Sequence, residues 1–453
     1  MLPSLLLYNL LLPLALLAML PGALRKMRRR GGSWRDALES LGRWTPQRRE
    51  ELAALGRGPV WIHAVSVGEV GIATKLIALW LRQHPQQGFA LSVTTPTGQA
   101  LAREFAQSRQ GRVVVLRAPL DLPGVATGFI RRLRPALLVL VEAELWPNWM
   151  MAAHAASLPV ALVNARLSAR SEKRLGWLRR WVAPWYGLLD VVQVQEAADA
   201  ARLQGLGVRP EALQHCGSIK FDPQGAQADA GQVQALRGVM QQAGMDARHP
   251  RVLLASTHPG EEALLLQSLF QLRAAHPGLV LMVVPRHVER AAELAAELQA
   301  LGCRVKRRSQ LAEAAAEGEE HGLPVLLIDS TGELRAWQCL ADVVIVGKSF
   351  LGRGGQNPVE AVLAGKPVLV GPHMENFEAV MALLGQSGAA LALRDAGELV
   401  AAIEPLLRDA ARAAAMAEAG RQALQAHEGA TQRSLDGLVS LVQRSTCREG
   451  STT

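Results

Sequence analysis

Aromatic side chains are scarce in this chain of 453 residues: they make up 4% of it, with two tyrosines and seven phenylalanines. That leaves no stacking platform of the kind single-strand nucleic-acid binders use. Cysteine is scarcer, with four residues, Cys216, Cys303, Cys339 and Cys447, set far apart. No Cys-x-x-Cys pair and no His/Cys cluster exists. This argues against a disulfide framework and a structural zinc site, and suits a reducing compartment. No internal repeat is evident at residue level. The net charge is +9, and much of the excess lies early and around residues 170–180, outside any nucleic-acid motif. A basic chain with an apolar start suits an anionic membrane surface, with no nucleic-acid partner.

Residues 1–24 carry no charged side chain and are packed with leucine, and Arg25-Lys26-Met27-Arg28-Arg29-Arg30 follows at once. About twenty apolar residues are enough to span a bilayer. A basic cluster just after the span stays cytoplasmic. The expectation is an uncleaved membrane anchor at 1–24 and a basic linker at 25–45, with the body on the cytoplasmic face. A cleaved signal peptide has its charges before the apolar core, the reverse of this order. Pro3, Pro13 and Pro21 leave room for a broken helix or a segment lying in the interface.

Beyond the linker, short apolar runs alternate with helical patterns. Strands are expected at 60–64, 90–94, 113–116, 136–141, 160–164 and 191–195, then at 252–256, 280–284, 325–329, 343–346 and 368–370. Such alternation implies parallel sheets covered by helices on both faces. The series breaks over the polar interval 222–249, which holds one expected helix at 232–242. The fold class is therefore α/β, with two doubly wound, Rossmann-like domains at 46–230 and 231–445, a deep cleft between them, and a tail at 446–453. Ligands are expected at the C-terminal ends of the strands.

The first domain has four motifs at such ends and a fifth, GSIKFD, near the domain boundary. In HAVSVGEV, Ser66 and Gly68 shape a strand-to-helix turn that puts Glu69 at the helix start. A carboxylate there can take a proton from an attacking hydroxyl, or simply complement the helix dipole. Thr94 to Gly98 offers hydroxyls that suit a ligand or a helix cap. Glu142 ends a strongly apolar strand, where a carboxylate is costly unless it faces a cleft or a cation. If the strand end stays extended, Glu142 and Glu144 point to the same side; a turn would separate them. Arg166 and Arg170 suit anionic ligands or a solvated basic face, and Lys220 suits a developing negative charge or a pairing with Asp222.

In the second domain, GKSFLGRGGQNPVE follows the strand at 343–346. Its glycines allow backbone N–H groups to approach an anion, or serve only a tight turn. Asn357 and Pro358 read as the N-cap and first residue of a helix, with Glu360 in its first turn, suited to ribose hydroxyls. Ser256-Thr257-His258, Pro285-Arg286, Thr331-Gly332-Glu333 and Gly371 to Phe377 each follow another strand. Arg286 reads as a phosphate clamp, and the segment from Asp329 to Leu334 can hold a base through backbone groups.

Taken in order, HAVSVGEV, TPTGQ, VEAELWPN, NARLSARS, GSIKFD, STHPGEE, VPRH, STGEL, RGGQNPVE and GPHMENF resemble the transferases of 3-deoxy-D-manno-octulosonic acid (Kdo), which add this sugar to lipid A precursors. The resemblance runs from about Trp61 to Phe377 and includes the N-terminal anchor. It implies the GT-B glycosyltransferase fold, CMP-Kdo as donor, a lipid A precursor (lipid IVA) in the inner membrane as acceptor, and no metal or other cofactor. By motif, Glu69 resembles the proton acceptor, and Glu142 and Lys220 resemble residues that stabilise the transition state. Pro285, Arg286, Thr331, Gly332, Glu333, Asn357, Pro358, Val359 and Glu360 resemble the CMP-contacting positions. The chain departs from the family at Lys348, where glycine is common, at Gln356, where histidine is common, and at Thr331, where methionine is common. Three other readings share the nucleotide-sugar theme: a UDP-sugar transferase of the peptidoglycan precursor type, a nucleotide-sugar epimerase, and a membrane-tethered sensor.

Overall fold

Runs of Val, Leu and Ile build the strands, and their burial on both faces fixes how the strands stack. The computed structural model describes residues 3–13, 38–109, 111–143, 145–167, 169–222, 229–245, 248–311 and 322–450. The chain divides into two units: residues 1–222 with 429–453, and residues 223–428.

The first unit holds β1 (Val60–Ala64), β2 (Phe89–Val93), β3 (Val113–Arg117), β4 (Leu137–Val141), β5 (Val160–Ala165), β6 (Val191–Val194) and β7 (Leu213–His215). They form one parallel sheet in the order β3-β2-β1-β4-β5-β6-β7. Every residue of β1, β2, β4, β5 and β6 is buried, as a sheet covered on both faces requires. Alternate residues serve opposite faces. Trp61 packs with Phe129 and Trp149 on one side, while Ile62 joins Leu76 and Val139 on the other.

The helix Ala430–Gly450 belongs to this first unit, which corrects the expected second-domain boundary of 231–445. Leu435 and Leu438 are fully buried in the core beside Leu76 and Ile77. Asp222 accepts hydrogen bonds from the Gly429 and Thr431 N–H groups at 2.9 and 2.6 Å, so it caps that helix. The Ala/Gln/Ser-rich tail gives no local sign of which sheet it covers.

The second unit holds β8 (Arg251–Thr257), β9 (Val280–Pro285), β10 (Cys303–Arg307), β11 (Leu323–Leu327), β12 (Val343–Val346), β13 (Val368–Val370) and β14 (Ala390–Ala392). This parallel sheet runs β10-β11-β9-β8-β12-β13-β14. Sequence patterning misses β7, β10 and β14. All three are edge strands, and their partial exposure tolerates polar residues that erase an apolar run.

Residues 3–13 are helical. Asn9 and Asn148 exchange side-chain hydrogen bonds at 3.1 and 2.9 Å, and Leu5 packs against the first core. Among the described residues, no helix is long and apolar enough to cross a membrane. The expected anchor at 1–24 is thus not seen as a spanning helix, and its residues 14–24 lie outside the described residues, as does most of the linker.

Candidate active site

In the first sheet the strand order reverses between β1 and β4, which pair directly. Doubly wound sheets bind ligands at the C-terminal ends of the strands flanking such a reversal. The loop after β1 carries Glu69, and Glu142 follows β4.

Glu69 is 7% exposed in the first turn of the helix Val67–Gln83. Its Oε2 accepts from the Val65 N–H at 2.7 Å and its Oε1 from the Ser66 hydroxyl at 2.8 Å. Ser66 Oγ accepts from the Glu69 N–H at 3.3 Å. This is a variant of the reciprocal capping box. The capping role and an oriented carboxylate therefore coexist. A carboxylate has about four lone-pair sites, and the box uses two.

Glu142 has φ 64°, in the left-handed region. That conformation costs a non-glycine residue about 1–2 kcal/mol. The chain turns at Glu142 and Ala143, and Glu144 lies outside the described residues. Burial and the negative charge of Glu69 push the Glu142 carboxyl above its ordinary pKa, against the pull of Lys220 and Arg166. These couplings draw Glu69, Glu142, Lys220 and the exposed Arg166 into one electrostatic cluster. Ser168 and the Arg170 side chain lie outside the described residues.

A Cβ added to Gly68 would sit 3.6 Å from Lys220 Nζ, so this ammonium lies over the first turn of the Glu69 helix. Its backbone is held from two sides. Lys75 Nζ donates to the carbonyls of Ile219 and Asp222 at 2.9 and 2.6 Å. Asn164, with φ 54° at the end of β5, accepts the Ile219 N–H at 2.9 Å. Asp222 is committed to the C-terminal helix. Sequence reasoning gives Lys75 no role: a lone helical lysine whose partners are backbone carbonyls 144 and 147 residues away leaves no local signal.

In the second sheet the order reverses at β8 and β12. The loop after β8 carries His258, and that after β12 carries Lys348. Arg286 follows β9, is exposed, and donates its N–H to the Thr257 carbonyl at 3.0 Å; Pro285 before it is buried in the strand. His258 packs edge-on to His287 and bonds Gln356 Nε2 through its own Nε2 at 3.2 Å. Burial and the charges of Lys348, His287 and Arg286 lower the His258 pKa, against the opposing charge of Glu261. Arg286 and Lys348 thus bring positive charge to His258, with the His287 ring packed against it.

Two glutamates with no assigned role in the sequence hold this loop. Buried Glu261 accepts from the N–H groups of His258, Lys348 and Phe350 at 3.0, 2.6 and 3.1 Å. Glu262 accepts from Thr257 and Arg290. The glycine turn serves packing. The Gly354 N–H donates to Glu375 at 2.7 Å and the Gly355 N–H to the Lys348 carbonyl at 3.1 Å, so these amides are engaged within the protein. A Cβ on Gly354 would lie 2.5 Å from Asn376 Nδ2, and one on Gly355 2.3 Å from Met374 Sδ. The expected use of these N–H groups for an anion is corrected accordingly.

The helix after the turn is short, Val359–Leu363, and starts one residue later than expected, with Pro358 in the capping position. Asn357 still caps through its side chain, accepting the Val359 N–H at 3.1 Å. Glu360 pairs with Arg335 at 3.2 Å. That arginine lies on the helix Leu334–Leu340, with Glu333 in the capping position before it. Thr331 and Gly332 are exposed, with Gly332 at φ 82°. Burial pushes the Glu333 carboxyl up, but hydrogen bonds from Ser330 and a two-pronged contact from Arg308, both arms at 2.8 Å, hold its pKa below the usual value. Glu333 therefore shapes the loop, leaving Thr331 and Gly332 at its surface. Among the described residues, no group of three His, Cys, Asp or Glu side chains is arranged to hold a metal.

Two parallel α/β units of this kind define a glycosyltransferase-like fold of the GT-B class. A crystal structure of MurG from Acinetobacter baumannii shares it with a TM-score of 0.51 at 15% identity, covering 86% of this chain and all of that one (100%). Residues 27–223 match the family model described as 3-deoxy-D-manno-octulosonic-acid transferase (kdotransferase). The 3-deoxy-D-manno-octulosonic acid transferase of Bordetella pertussis is 40% identical over 422 residues, 91% of this chain and 94% of its own length. That of Haemophilus influenzae is 32% identical over 387 residues, 85% of this chain and 87% of its own. The chain belongs to the Kdo transferase family and is a glycosyltransferase.

Proposed function

We propose that this enzyme transfers Kdo from CMP-Kdo to the glucosamine disaccharide of an acylated lipid A precursor (lipid IVA) at the cytoplasmic face of the inner membrane. The observation that carries the reading is the cluster of Glu69, Glu142 and Lys220 at the β1/β4 reversal, in a chain of this family. Glu69 is the general base. Its capping box fixes the carboxylate, and it takes the proton of the acceptor hydroxyl as that oxygen bonds to the anomeric carbon of Kdo. The bond from that carbon to the CMP phosphate oxygen breaks, and CMP leaves with the electron pair. Glu142, with its raised pKa, and Lys220 balance charge around the reacting sugar.

The second unit supplies the donor side. Arg286 and Lys348 are the cations for the donor phosphate, since the glycine-turn amides are engaged. The surface of Thr331-Gly332, with Glu333 behind it, and the segment Asn357, Pro358, Val359 and Glu360 contact the nucleoside. No metal is required in this scheme, because these cations meet the charge that develops on the leaving phosphate. Membrane attachment comes from the apolar N-terminus and the basic collar that follows it.

Incubating the purified protein with CMP-Kdo and a tetra-acylated lipid A precursor, with and without EDTA, tests this reading. Transfer of Kdo in both conditions is expected. Transfer from a UDP-sugar instead, or loss on chelation with recovery in magnesium, contradicts it.

A further inference from the structure

Beside Glu142 lies an apolar groove of about 620 Å³, within the ~300–1,000 Å³ of typical ligand clefts. One wall is the N-terminal helix 3–13, through Leu7 and Leu11. The other is the pair of helices Ala169–Trp177 and Arg179–Tyr186, through Leu178 between them and Trp181 on the second. These four apolar side chains are solvent-exposed, at 42%, 52%, 49% and 44%. Folding alone does not account for an apolar trough kept open in this way.

We infer that this groove seats an acyl chain of the acceptor lipid. The inference rests on the acceptor proposed above and adds where its hydrocarbon goes. Three observations select that occupant. The groove is continuous with the candidate site, since Ala143, the residue after Glu142, lines it together with Leu145. Leu167, which also lines it, directly follows Arg166, the cation coupled to Glu142. Arg174 stands in the lining, and Lys173, Arg179 and Arg180 are exposed on the same helix pair, which complements a phosphorylated head group. An acyl chain lying along the groove therefore leaves its polar head at the carboxylates. The helix 3–13 is fastened by the Asn9–Asn148 amide pair, so it forms a fixed wall.

The test uses the full chain with Leu7→Arg and, separately, Leu178→Arg. Both side chains are half-exposed, so neither change opens the core. Transfer is measured with the acylated acceptor dispersed in detergent and with the same disaccharide bisphosphate stripped of its acyl chains. Each variant should raise KM for the acylated acceptor at least about tenfold, with kcat nearly kept and both constants for the deacylated acceptor unchanged. Equal effects on the two acceptors, or none on either, overturn the inference. A variant that loses binding to phosphatidylglycerol vesicles yet keeps its KM for the dispersed acceptor also overturns it, in favour of a bilayer lipid. If the parent enzyme transfers Kdo to neither acceptor, the acceptor proposal itself fails, and this inference with it.

Discussion

Asp222 Oδ2 accepts the Thr431 N–H at 2.6 Å, across 209 residues of sequence. One carboxylate thus joins the segment that carries Lys220 to the first turn of the C-terminal helix. Arg433 of that helix reinforces the join by donating to the Cys216 carbonyl.

Asp222→Ala should therefore destabilise the first unit. It removes a helix cap and leaves buried N–H groups without their acceptor, at a cost of about 2–3 kcal/mol. Denaturant unfolding followed by circular dichroism measures it. A loss under about 0.5 kcal/mol would mean the helix is not held through this residue.

Lys348 occupies a left-handed position, φ 56°, where glycine is unstrained. Lys348→Gly should leave the thermal midpoint unchanged or slightly higher, because relief of about 1–2 kcal/mol of strain offsets the entropy of glycine. Losing the cation should raise the donor KM about tenfold. Steady-state kinetics with varied CMP-Kdo decide the matter, and an unchanged KM removes Lys348 from the donor site.

His63 is 1% exposed, hydrogen-bonded through Nδ1 to the Ser92 hydroxyl at 3.0 Å, and burial lowers its pKa to about 4. The unfolded chain, with an ordinary value near 6.5, binds this proton more readily than the folded one. Stability is thus full above pH about 6.5 and falls as the pH drops toward 4, by about 3 kcal/mol from this group. Unfolding free energies between pH 4.5 and 7.5, compared with those of His63→Gln, should show a smaller acid loss in the variant. Identical pH dependence would contradict the assignment.

Central strands and the motifs at their ends were legible because a strand buried on both faces must be a continuous apolar run. Glu69, Glu142 and Lys220 stand on such motifs, and the structure draws them together. The edge strands β7, β10 and β14 and the second-unit boundary were not legible. Cys303-Arg-Val-Lys-Arg is too polar to read as a strand, and Asp222 reaches its partners only through the fold. The glycine turn misled for a related reason. Glycine reports that a backbone comes close to something, and here it is Met374 and Asn376 rather than a ligand. Lys75 and Glu261 act on backbone groups distant in sequence, so only coordinates expose them.

The most direct test of the account is the single-turnover rate of Kdo transfer from CMP-Kdo by Glu69→Gln against the parent. The substitution keeps an oxygen for the capping box and removes the proton acceptor. The rate should fall about 10²–10⁴-fold while CMP affinity and the thermal midpoint stay close to those of the parent. A rate within a few-fold of the parent would show that Glu69 caps its helix and does nothing more.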